Sequence, residues 1–136
     1  MRNREFIEAK GPDFVSRLRG HLDVLGIDRG KQEDACVIVR RAILLRTFLE
    51  KFHEAIRSGE QMNICPKVVR AFLTVEGFRH GVRSMESLVR MCRVDTSERW
   101  LHSGSLPADD QLNMHVDQRE FLEIVRGQAS TDGRGI

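Results

Sequence analysis

Apolar residues recur along the chain at steps of three and four, and the strict alternation of a half-buried strand is nearly absent. This pattern predicts a series of helices. The first is predicted from Pro12 to Leu25. Pro12 suits a first helical position, where its missing N–H costs nothing, and Gly26 supplies a stop. Phe14, Leu18, Leu22 and Leu25 share one face. The second and longest is predicted from Lys31 to Arg57. Its stripe is Ala35, Ile38, Ala42, Leu45, Leu49, Phe52 and Ile56, widened by Ile43, Leu44 and Phe48. A helix apolar over so much of its circumference packs against several neighbours, so this is the expected central helix, ended by Gly59. Its charges, Arg40, Arg41, Glu50, Lys51 and Glu54, are expected on the wetter side.

A third helix is predicted to start at Pro66 and to carry Val68, Val69, Phe72 and Leu73, with a break at Gly77. A fourth follows from Val82 to Cys92, turning Met85, Leu88, Val89 and Cys92 inward. The stretch from Val94 to Ser105 is polar, and its apolar anchor is Trp100-Leu101, with Trp100 expected to plug the core. Two short helices close the chain. Ser105, Leu106 and Pro107 offer a cap and a first-turn proline, with Asp109 and Asp110 at the positive end of the dipole. Asp117 then stands three residues before Glu120, a capping-box-like start for Phe121, Leu122 and Val125, ended by Gly127. Residues 128–136 have nothing to bury and are expected to be a disordered tail. The predicted architecture is an all-α, bundle-like domain over residues 1–127, with about four main helices and two short C-terminal ones.

Composition narrows the function classes. The 136 residues fit one ordinary domain, and 40% hydrophobic with 31% charged residues is a globular balance. The 22 Lys and Arg nearly cancel the 20 Asp and Glu, leaving a net charge of +2. That balance argues against a dedicated nucleic-acid binder. Cys36, Cys65 and Cys92 form no CxxC pair and are odd in number, so neither a zinc knuckle nor a complete disulfide framework is indicated. Free, mostly buried thiols in a reducing cytoplasm are expected. The first residues hold no apolar signal region, and no apolar run approaches the length of a membrane span.

Many catalytic signatures are missing. There is no GxxxxGK[ST] phosphate loop, no GxGxxG, no HExxH and no GxSxG. The histidines at 21, 53, 80, 102 and 115 show no i,i+4 pair for a metal on one helix. A Cys65–His80 nucleophile pair has no local support.

The informative stretch runs from Phe78 to Val89. Gly81 stands where a helix begins, and Arg83 follows two residues later. Arg83 then projects from the first turn of an amphipathic helix. A permanently charged fork beside N-terminal N–H groups suits a phosphate oxygen. Pairing of Arg83 with Glu86, three positions on, is the structural alternative.

This Gly-x-Arg helix start, together with the run from Pro66 to Leu73 and from Gly81 to Val89, resembles the sensor-2 part of the C-terminal helical lid of bacterial AAA+ ATPases. The likeness covers residues 31–92 as an architecture and Pro66 to Met91 as sequence. Residues 106–125 bear a looser likeness to the endings of large bacterial AAA-type proteins. The resemblance implies that Arg83 reaches the terminal phosphate of ATP and that Gly81 permits the tight helix entry. It implies as partners an AAA+ nucleotide-binding core or a neighbouring subunit of an oligomer. That core is wholly missing here, so the chain would be the end of a larger protein or a stand-alone relative, non-catalytic alone. Residues 93–127 exceed what a minimal lid needs. Two other readings stand beside it. One is a non-enzymatic helical interaction or regulatory module. The other is a helix-turn-helix-like nucleic-acid binder using Val68–Phe72 and the arginines at 79, 83, 90 and 93.

Overall fold

The structure is a computed structural model and describes residues 26–29 and 34–127. The predicted helix from Pro12 to Leu25 and the predicted tail at 128–136 lie outside the described residues. Among the described residues five α-helices run in chain order: α1 (Val37–Phe52), α2 (Pro66–Thr74), α3 (Val82–Met91), α4 (Asp109–Asn113) and α5 (Gln118–Arg126). A two-residue hairpin, β1 (Arg57–Ser58) and β2 (Gln61–Met62), joins α1 to α2. The chain is therefore mostly helical but not purely all-α. Isolated bridges, Ile64 with Leu101 and Phe78 with Val116, add further strand-like pairing.

The long helix is shorter than its periodicity predicts, at both ends. It starts after Asp34, whose side chain accepts the Cys36 N–H at 3.0 Å and pairs with Arg40. The Arg40 guanidinium beside Asp34 holds that carboxyl below its ordinary range. The helix stops at Phe52: His53 leaves the helical dihedrals, at φ −136° and ψ 48°, and its ring meets the Val89 carbonyl at 2.6 Å. Ile56 keeps the helical spacing but reaches the core through a 3₁₀ turn, Glu54–Ile56. Gly59 does not end the helix. It takes the positive-φ place in the two-residue hairpin loop, at φ 60°.

α1 packs on α3 and α2, and α2 packs on α5. One core runs through all of them, from Ile27 through Leu45, Phe72, Met85 and Leu101 to Leu112, Phe121 and Val125. The expected inward residues of α3, Met85, Leu88, Val89 and Cys92, are all buried. Burial pushes the Cys92 thiol up to about 12. Of the three thiols, all free, only Cys92 is buried; Cys36 is exposed and Cys65 half-buried. The polar stretch docks through Leu101, which is 1% exposed, while Trp100 stays outward at 45%. Leu101 is pinned by its parallel pairing, with N–H to the Asn63 carbonyl and carbonyl to the Cys65 N–H. That register turns the neighbouring Trp100 outward, so Leu101, and not the expected Trp100, plugs the core.

The helix starts were legible to different degrees. Pro66 opens α2 as expected. Asp117 caps α5 by accepting the Glu120 N–H at 3.0 Å, and Gly127 ends it at φ 77°. The reciprocal half of that capping box is absent, because Glu120 turns its carboxylate to the Glu76 N–H. Ser105 does not cap α4, whose first residue follows Ala108. Ser105 is buried and instead accepts the His102 N–H, closing a short 3₁₀ turn.

The largest departure is Arg41. It faces inward and is fully buried. Its Nε donates to the Ile27 carbonyl at 2.6 Å, and its terminal nitrogens donate to the carbonyls of Leu73, Val75 and Glu76. The guanidinium lies 5.1 Å over the Phe78 ring. The C-terminal carbonyls of a helix have no partner within it, and Arg41 satisfies those at the end of α2.

Candidate functional site

The turn from Phe78 to Gly81 sets the start of α3. Gly81 has φ 56° and ψ −133°, a backbone that any Cβ would strain, and it directly precedes Val82, the first helical residue. Its N–H donates to the Phe78 carbonyl at 3.1 Å, and its own carbonyl accepts from Ser84 at 3.1 Å. Ser84 is fully buried, and its hydroxyl reaches back to the His80 N–H at 3.0 Å. The turn is held from the C-terminal side as well. Arg79 donates to the carbonyl and side chain of Asn113, and its N–H donates to the His115 carbonyl at 2.8 Å. The Ser84 hydroxyl also meets His115 Nδ1 at 3.1 Å.

Arg83 stands on the first turn of α3, exposed, with no hydrogen bond or ion pair to any described residue. The expected alternative, pairing with Glu86, is not formed. Glu86 instead bridges to Lys51 of α1 at 3.0 Å. A cation on a first helical turn opposes the helix dipole by roughly 0.3–1 kcal/mol. The first turn of α3 carries no acidic residue of its own, but the Asp28 carboxylate lies across the turn, 3.8 Å from where a Cβ would stand on Gly81. So Gly81 and Arg83 are brought together as expected, and Arg83 pairs with no described residue.

Other candidates separate. Val68 and Phe72, which bound the segment of the helix-turn-helix-like reading, are 0% and 1% exposed and belong to the core. Arg79 is held by Asn113, and Arg90 lies 5.7 Å over the Phe52 ring. The four arginines therefore do not form one free basic stripe. Cys65 and His80 share no contact in the hydrogen-bond network of the described residues; His80 is exposed and 6.5 Å from the His115 ring, centroid to centroid. Among the described residues no group of three or more His, Cys, Asp or Glu could hold a metal. No described helix is long and apolar enough to cross a membrane.

Two residues of this site had no signal in the sequence. Asp28 accepts the Phe78 N–H at 2.7 Å from 50 positions away. His115 joins through Ser84, and only the fold brings them together.

His115 is the group expected to make the stability of this site depend on pH. Burial, with the neighbouring His80 adding to it, holds the imidazole below its ordinary 6.5. The unfolded chain then binds this proton more tightly than the folded one. Stability from His115 is present above about pH 6.5 and is lost as pH falls through the lower folded value. We expect the urea midpoint to fall between about pH 7 and about pH 5, and His115→Gln to flatten that fall. An unchanged slope in the variant would show that other groups carry it.

No protein-family model, curated protein or solved structure matches the chain.

Proposed function

We propose that this chain is the C-terminal helical lid of an AAA+ ATPase, non-catalytic by itself, with Arg83 as its sensor-2 arginine. One observation carries the reading: an arginine on the first turn of α3 that pairs with no described residue, behind a glycine whose φ is 56°. The described residues offer ATP no phosphate loop, so the nucleotide would be held by a separate core. ATP supplies the terminal phosphate when bound there. Arg83 would lie beside it and stabilise charge that grows in the transition state. The partner is thus the nucleotide-binding core or a neighbouring subunit. A cytoplasmic location goes with this reading and is supported by three free thiols.

ATP turnover by the assembled ATPase, this chain included, is the test. Arg83→Ala is expected to lower kcat by at least about tenfold, while the chain's melting temperature stays within a degree or so. Unchanged turnover would sink the sensor role.

A second reading, a non-enzymatic interaction module, draws on one flank of α1. Ile38, Val39 and Ile43 are 41%, 56% and 62% exposed there. Turnover that ignores Arg83 but responds to polar substitutions on this flank would favour it.

A further inference from the structure

We propose that Asp28 is a positioning residue that aims Arg83, an inference that rests on reading Arg83 as the phosphate-facing group. The segment Gly26–Arg29 lies before α1, and two arginines of α1 tie it down. Arg40 Nε donates to the Gly26 carbonyl at 2.9 Å, and Arg41 Nε donates to the Ile27 carbonyl at 2.6 Å. Ile27 itself is 2% exposed. With its backbone held on one side and its neighbour sunk in the core, Asp28 is presented to the turn before α3.

There its carboxylate spans the turn. Oδ1 accepts the Phe78 N–H at 2.7 Å. The two oxygens lie 3.7 and 3.8 Å from where a Cβ would stand on Gly77 and Gly81. A glycine backbone does not hold one direction by itself, so its neighbours fix the φ of Gly81. On the far side Asn113, His115 and Val116 hold Arg79, Ser84 and Phe78. Asp28 is the support on the near side, and an ionised acceptor makes that hydrogen bond the stronger kind. It also places a negative charge at the positive end of α3. Arg83 is two residues beyond Gly81, so the direction of its side chain follows the turn. A shift of Gly26–Arg29 would therefore be felt at Arg83 through a single hydrogen bond. Asp28 would not touch the nucleotide.

The experiment compares Asp28→Ala, Asp28→Asn and Arg83→Ala in the full chain and in the assembled ATPase. By amide exchange, Asp28→Ala is expected to speed Phe78 and Ser84 by about tenfold, leaving Leu88 and Val89 unchanged. Asp28→Asn keeps a neutral acceptor and should fall between; it also serves if the alanine variant does not fold. In turnover, Asp28→Ala should lower kcat severalfold in the wild-type background and not at all in the Arg83→Ala background. Unchanged exchange at Phe78, or losses that multiply with Arg83→Ala, would overturn the positioning role. A loss with Arg83→Ala and none with Asp28→Ala overturns it alone, leaving the sensor reading intact. No loss with Arg83→Ala overturns the sensor reading, and the coupling with it.

Discussion

Arg41→Met is expected to destabilise the fold by about 4 kcal/mol or more, a large fraction of the roughly 5–15 kcal/mol that holds a domain of this size folded. Methionine fills a similar length but donates nothing. Four carbonyls, those of Ile27, Leu73, Val75 and Glu76, then lose their donor. Those of Leu73 and Glu76 are part-buried and can recover water. Those of Ile27 and Val75 are bonded in the interior and cannot. An orphaned buried carbonyl costs roughly 1–3 kcal/mol, and a hydrogen bond to a charged donor is worth about 1.5–3. The interior pair alone therefore reaches several kcal/mol.

Burial holds the Arg41 guanidinium below its ordinary value, and no described carboxylate bonds it. Its charge is sustained by carbonyl dipoles and the Phe78 face. Arg41→Lys keeps the charge but loses the planar fork, so a loss of about 2 kcal/mol is expected. Urea unfolding followed by far-ultraviolet circular dichroism measures both. A cost under about 1 kcal/mol for methionine would mean that Arg41 is not the link between α1 and the end of α2.

The second large effect concerns the C-terminal part. Phe121→Ala should cost roughly 3–5 kcal/mol, the range for emptying a fully buried aromatic site. Phe121 is 0% exposed on α5 and meets Phe72 of α2 edge-to-face, with centroids 5.2 Å apart and planes at 85°. Such pairs add about 0.5–1.5 kcal/mol beyond their area. Phe72→Ala and Phe121→Ala should therefore couple in a double-mutant cycle. Unfolding should remain a single transition, because both rings belong to one core. Two separate transitions, with Phe121→Ala moving only one, would show residues 93–127 to be an independent unit.

Individual residues show what was legible and what was not. Pro66, Asp117 and Gly127 act through their own backbone or nearest neighbours, and they mark the helix ends that the sequence predicts. The inward residues of α3 follow from their spacing, since a helix presents one stripe whatever it meets. Arg41 follows no such rule. Its spacing places it on the same face as Leu45 and Phe48. Its charge argues for water, and only the arrival of the end of α2 makes burial favourable. Ile56 keeps helical spacing outside the helix, because periodicity reports which residues are buried and not where the helix stops.

The same division runs through the candidate site. Gly81 and Arg83 are neighbours in the chain, so their juxtaposition is local and the amino-acid order alone determines it. Whether Arg83 is free depends on Glu86, and Lys51, 35 residues away, takes that carboxylate. The turn is held by Asp28, 50 residues before Phe78, and by His115, 31 residues beyond Ser84. A hydrogen bond of such range has no periodicity and no local propensity to announce it. The sequence by itself determined the starts of α2 and α5, the inward face of α3 and its glycine–arginine start, but on α1 it turned Ile38 and Ile43 inward and Arg41 outward, the reverse of what the fold does. The tertiary structure alone decided which charges are buried, paired or left free, because that is settled by which backbone groups packing leaves without a partner.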